Sequence, residues 1–111
     1  MIEVDRQGTA IYRDVLDHAR NLLKAFAPEA AEVEIVCHGD ALDMLLSSRN
    51  PLAKELKSFK QPGVIFAACE NSMRGRKITR AMLIPGVKVV DSGVAEIVRK
   101  EEAGWSYLKA D

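Results

Sequence analysis

Val64-Ile65-Phe66-Ala67-Ala68-Cys69-Glu70-Asn71-Ser72 is the stretch on which the fold turns. Five apolar residues in succession read as a strand covered on both faces, the pattern of a parallel sheet. The run stops at a cysteine, polar residues follow, and the basic stretch Arg74-Gly75-Arg76-Lys77-Ile78-Thr79-Arg80 comes next. A buried strand that ends in a cysteine and turns into a helix places the sulfur at the carboxyl edge of a sheet. In open α/β folds that edge is where sites form. Helix N–H groups and neighbouring cations there favour thiolate over thiol.

Working outward, Pro62-Gly63 turns the chain into this strand, and Asn50-Pro51 breaks the segment before it. Pro51 opens a helix with Leu52, Leu56 and Phe59 on one side, a placement that suits proline's missing N–H. Leu42, Leu45 and Leu46 predict a short helix capped by Asp40. Val33, Ile35, Val36 and Cys37 form a β-branched second strand that exits through His38-Gly39-Asp40. Ile11, Val15, Ala19, Leu22, Leu23 and Phe26 recur at spacings of three and four. They mark an amphipathic helix over roughly residues 10 to 26, with Thr9 its expected cap and Pro28 its stop. Ile2 and Val4 alternate with polar neighbours as a short first strand.

Past Cys69, a helix is expected from near Ser72, carrying Met73, Ile78 and Met82. Pro85-Gly86 turns into a fourth strand of Val87, Val89 and Val90. Asp91-Ser92-Gly93 caps a helix lined by Val94, Ile97 and Val98, and Gly104 stops it. Trp105, Tyr107 and Lys109 alternate as a final edge strand. Strands alternating with helices predict one α/β domain over residues 1–111, with a mainly parallel five-stranded sheet, helices on both faces and right-handed crossovers.

The chain has 111 residues, 48% hydrophobic and 29% charged, with sixteen basic residues against sixteen acidic. That balance gives no pull toward nucleic acid or an anionic membrane surface. No apolar run approaches a membrane span, and the start of the chain lacks a signal-peptide layout, so a cytoplasmic protein is expected. A domain this small buries a modest share of its surface, which favours subunit association. Two cysteines without a C-x-x-C pair argue against a disulfide framework, and two histidines without a His/Cys cluster argue against structural zinc.

Ala68-Cys69-Glu70-Asn71-Ser72-Met73 resembles the strand-end Cys-x-Asn-[Ser/Thr] segment of DsrE/DsrF-like proteins. The stretch Leu83 to Ile97, with Val89-Val90-Asp91-Ser92-Gly93-Val94, is similar to their fourth strand and its Ser-Gly-Val loop. Gly104-Trp105-Ser106-Tyr107-Leu108-Lys109 resembles their last strand, and Val36-Cys37-His38-Gly39 their His-Gly after the second. The resemblance implies a small three-layer, flavodoxin-like fold and a homo-oligomer, trimer or hexamer, or an assembly with paralogues. It also implies intracellular sulfur trafficking, with Cys69 as persulfide carrier, protein thiols as donor and acceptor, and no cofactor. Cys37 stands where the family usually has another residue.

Each candidate residue also has a plainer reading. Cys69 as a nucleophile would attack a persulfide or disulfide sulfur; as a structural residue it is a small buried hydrophobe. Asn71 and Ser72 suit either donation to the sulfur or turn and cap roles. Arg74, Arg76, Lys77 and Arg80 read as an electropositive rim or as a solvated helix face, with Arg74 nearest the sulfur. His38 shares the sheet edge as a proton carrier or a loop anchor. Ser92 and Gly93 reach the same edge as an anion-binding loop or simply as a tight turn. His18 reads as surface, and Trp105 and Tyr107 as packing or interface residues. In a 2-1-3-4-5 strand order, Cys37 and Cys69 lie about 10 Å apart, so no disulfide is expected.

The rival readings are a non-catalytic oligomeric binding or scaffold protein and a flavin- or nucleotide-binding module. The latter lacks a phosphate loop after the first strand, and a phosphoacceptor receiver lacks its acidic residues.

Overall fold

The expected elements form, and the apolar run ending at Cys69 is an interior strand of the sheet. A computed structural model describes all 111 residues. In chain order it contains β1 (Ile2–Val4), α1 (Thr9–Phe26), β2 (Val33–Cys37), a 3-10 helix (Gly39–Leu45) and α2 (Ala53–Lys57). Then come β3 (Val64–Cys69), α3 (Glu70–Arg76), a 3-10 turn (Arg80–Met82), β4 (Lys88–Val90), α4 (Gly93–Glu102) and β5 (Leu108–Lys109). Every strand pairing is parallel. No helix is long and apolar enough to cross a membrane.

The strand order is 4-3-2-1-5, so β2 and β3 are direct neighbours and β1 does not separate them. This corrects the 2-1-3-4-5 arrangement. From β1 to β4 the chain steps one place at a time in one direction. Right-handed crossovers then put α1, α2 and α3 on one face, and the long return from β4 to β5 puts α4 on the other. The two faces are unequal. On the first, strand residues such as Ile2, Val4, Ile35, Cys37 and Ala68 join Val15, Leu16, Leu42, Leu45, Leu56 and Met73 in a cluster of 21 buried residues. On the second, Met1, Val36, Ala67, Val90 and Ile97 form a cluster of five, flanked by Trp105.

Several local expectations change. Gly8, not Thr9, occupies the N-cap of α1, and no side chain caps it. The segment after His38 closes as a 3-10 helix without a cap bond from Asp40. Asn50 builds the turn before α2: its Oδ1 accepts the Leu52 N–H at 3.0 Å, and its Nδ2 donates to the Met44 carbonyl at 2.7 Å. The single helix expected from Ser72 to Met82 is two pieces. Lys77 adopts a left-handed conformation, φ 55°, and ends α3. There the Ile78 N–H reaches the Met73 carbonyl at 2.8 Å and the Lys77 N–H reaches Arg74 at 3.3 Å, a Schellman closure without glycine.

Candidate functional site: a capped thiol at the sheet rim

Cys69 ends β3 and is itself the N-cap of α3, a role the sequence pattern assigned to its neighbours. Its backbone is extended, and its Sγ accepts the Ser72 N–H at 3.4 Å. Asn71 and Ser72 therefore lie within the first turn of the helix. The Ser72 hydroxyl accepts the Gly39 N–H at 2.9 Å. Burial pushes the thiol up. The Ser72 hydroxyl and the N–H groups of Ser72, Gly93 and Asn71 outweigh it, so the thiol sits below its ordinary value. Cys69 is 4% exposed, yet it belongs to neither apolar cluster. Its surroundings are polar donors gathered from two chain segments, the starts of α3 and α4.

Side chains alternate along a strand, so the register decides which face the sulfur takes. Ala67 lies in the cluster under α4, and Cys69, two residues on, points to that face. Cys37 pairs with Ala68 and lies in the opposite cluster. The two thiols sit on neighbouring strands but on opposite faces, and both are free. The disulfide is absent as expected, though for a different reason. Cys37 is fully buried, which pushes its thiol up to about 12.

His38 extends β2 on the Cys69 face. Its Nε2 lies 2.6 Å from Glu3 Oε2, and the Tyr107 hydroxyl donates to Glu3 Oε1. Burial raises the Glu3 carboxyl, but the Tyr107 and His38 bonds together hold it below the usual carboxylate value. The bond to Glu3 pushes the Tyr107 hydroxyl up to about 12. Gly93 connects this chain to the sulfur. A Cβ on Gly93 would come within 3.1 Å of His38 Cβ, so any larger residue would push the imidazole and the start of α4 apart by a few tenths of an ångström. Ser92 caps α4, its Oγ accepting the Ala95 N–H at 3.3 Å.

The arginines do not gather round the sulfur. Arg74 is exposed and pairs with Glu70 at 3.0 Å and with Asn71. Arg76 pins the 3-10 helix through Asp43 at 2.6 Å and the Gly39 carbonyl at 3.0 Å. Arg80 leans toward Glu70 at 3.7 Å. Hydrogen-bond donors, rather than an open positive rim, hold the thiol.

The structure thus brings together Cys69, Ser72, His38, Ser92 and Gly93, and directs Asn71 and Arg74 outward to each other. Glu3 belongs to the site without having been singled out from sequence, where the signal was a glutamate set between Ile2 and Val4 in a strand; Tyr107, expected as a packing or interface residue, joins the site through its bond to Glu3. Ligand atoms of Glu3, Asp5 and His38 lie within 4.8 Å of one another, but the Lys109 ammonium already sits 2.9 Å from Asp5 Oδ2. The cluster is an ion-pair network with its own cation. An open apolar groove of about 690 Å³ lies at the opposite end of the sheet, against Met1, Leu22, Val33 and Trp105.

Comparison with solved structures finds the protein of unknown function MTH1491 from Methanobacterium thermoautotrophicum. It is 28% identical, with a TM-score of 0.85 over 97% of this chain and 95% of that one. No curated protein matches the sequence. The DsrE/DsrF-like family model matches residues 7–110. That match spans nearly the whole sequence, and the chain belongs to the DsrE/DsrF-like family.

Proposed function

We propose that the protein is a sulfur carrier in which Cys69 accepts a persulfide sulfur and hands it on. Its family is associated with sulfur relay in general. The observation that supports this residue is the set of donors on its sulfur, which favours the nucleophilic thiolate without a metal or a neighbouring cation.

The chemistry is a thiol exchange with no net change in oxidation state. The Cys69 thiolate attacks the outer sulfur of a donor persulfide. A new S–S bond forms at Cys69, the donor's S–S bond breaks, and the donor leaves as a thiolate. In the second half, an acceptor thiolate takes the outer sulfur and Cys69 leaves as the thiolate, again held by Ser72. Donor and acceptor are protein thiols. The carrier works as a homo-oligomer, trimer or hexamer, in the cytoplasm, where free cysteines such as these two persist. Exposed Phe26, Val94 and Val98 are compatible with subunit contacts.

Intact-mass spectrometry after incubation with a persulfide donor tests the assignment. Wild type gains about 32 Da, one sulfur atom, and Cys69→Ser gains nothing while keeping its fold and assembly. An unchanged wild-type mass contradicts the carrier role. The 4% exposure of Cys69 favours the second reading, a non-catalytic binding or scaffold protein, and that reading predicts the unchanged mass.

A further inference from the structure

Two acidic side chains are buried under α4, at a distance from the thiol and outside the proposed transfer chemistry. Glu34 points from β2 into the α4 face with a side chain 1% exposed; the Glu96 side chain, on α4, is 8% exposed. Both Glu34 oxygens and Glu96 Oε2 lack an ordinary hydrogen-bond donor. The two carboxyl groups face each other beneath α4, and each perturbs the other's ionisation. Two carboxylates so placed can only repel, whereas one proton between them makes a hydrogen bond.

Three cations approach the pair, none closer than 3.5 Å. From α4, Lys100 Nζ lies 3.6 Å from Glu34 and Arg99 3.5 Å from Glu96. From β4, Lys88 Nζ lies 3.7 Å from Glu96. The Met1 amino group, on the β1 side, is engaged with the Ser106 carbonyl at 2.6 Å. Arg99 is shared with Asp91 at 2.5 Å. The same helix begins at Gly93, whose N–H is among the donors to Cys69. The apolar cluster beneath it has only five members, so polar contacts carry much of its attachment.

We propose that Glu34 and Glu96 share one proton, and that this proton latches α4 to the sheet and keeps its first turn over Cys69. The inference rests on the sulfur-carrier reading and names a regulation of that site. Burial and the facing Glu96 raise the Glu34 carboxyl above 4.5. Burial also opposes ionisation of Glu96, but its bond to Glu34 and the lysines hold it below 4.5. In an open state both carboxyls titrate near that ordinary value. The closed state therefore binds more protons than the open one as pH rises above 4.5, and closure weakens until Glu34 has ionised. Below 4.5 the closed state binds fewer protons, and closure weakens again as Glu96 takes one up. Closure is strongest near 4.5 and falls on both sides.

Hydrogen exchange of the intact protein across pH 5 to 9 reads the latch, after correction for intrinsic exchange. Wild-type α4 amides lose protection by up to roughly tenfold per pH unit while Glu34 ionises, and β2 and β3 amides do not follow. Glu34→Gln supplies a permanent donor to Glu96, so its α4 protection is flat over the same range. Wild-type α4 protection that is equally flat overturns the latch. Should Glu34→Gln fold poorly, carbon-13 titration of the wild-type glutamates decides. One carboxyl above 4.5 and its partner below supports the shared proton, and two independent titrations near 4.5 refute it. The amides read lie beyond the Gly93 N–H that faces Cys69, and none of these readouts involves sulfur transfer, so a failed latch leaves the carrier reading standing, and a thiol that takes no sulfur leaves the latch standing.

Discussion

Local hydrogen bonding holds the Cys69 thiol below its ordinary value, and Ser72 contributes through its N–H at 3.4 Å and its hydroxyl. Ser72→Ala removes the hydroxyl while leaving the helix intact. A hydrogen bond to a charged group contributes about 1.5–3 kcal/mol, so the variant alkylates roughly tenfold to a hundredfold more slowly at pH 7, measured by iodoacetamide kinetics. An unchanged rate would assign the ionisation to other groups. The sequence showed where this sulfur lies, because an apolar run ending in Cys-Glu-Asn-Ser marks a strand edge. It did not show what surrounds the sulfur. Gly39, Gly93 and Glu3 come from other elements, and only the strand register brings them to the same edge.

The helix that follows the thiol is held short by Lys77. A side chain in the left-handed region costs roughly 1 kcal/mol, and glycine removes that strain. Lys77→Gly is therefore expected to raise stability by about 0.5–1 kcal/mol in urea unfolding, without changing the reactivity of Cys69. A loss of stability would mean that the lysine side chain holds the turn. Element types were legible where periodicity was strong, in α1, β2, β3 and α4. Caps were less so. Thr9 and Asp40 fit cap preferences, yet Gly8 and His38 take those positions. Charged residues inside strands, Glu3 and Glu34, carried information that alternation alone does not interpret, because Glu3, half-buried, and Glu34, buried, each meet a partner far away in the chain.

Across the whole molecule, stability is divided unevenly between the two faces of the sheet. Ile35 is fully buried in the cluster of 21, whereas Ile97 belongs to the cluster of five and is 9% exposed. Ile35→Ala should cost about 3–5 kcal/mol and Ile97→Ala about 2 kcal/mol or less, compared by denaturant unfolding. Equal costs would argue against a lightly held α4. The alternation of strands and helices was enough to predict a parallel α/β sheet. It was not enough to order the strands, since several orders satisfy right-handed crossovers and 4-3-2-1-5 is one of them.

That arrangement sets one thiol among donors at the rim and seals the other in the core, so the two should titrate far apart. The rate of Cys69 alkylation against pH, followed by mass spectrometry on the native protein, measures this directly. The account predicts a midpoint below the ordinary thiol value of 9.0 for Cys69 and no modification of Cys37. A Cys69 midpoint at or above 9.0 would contradict it.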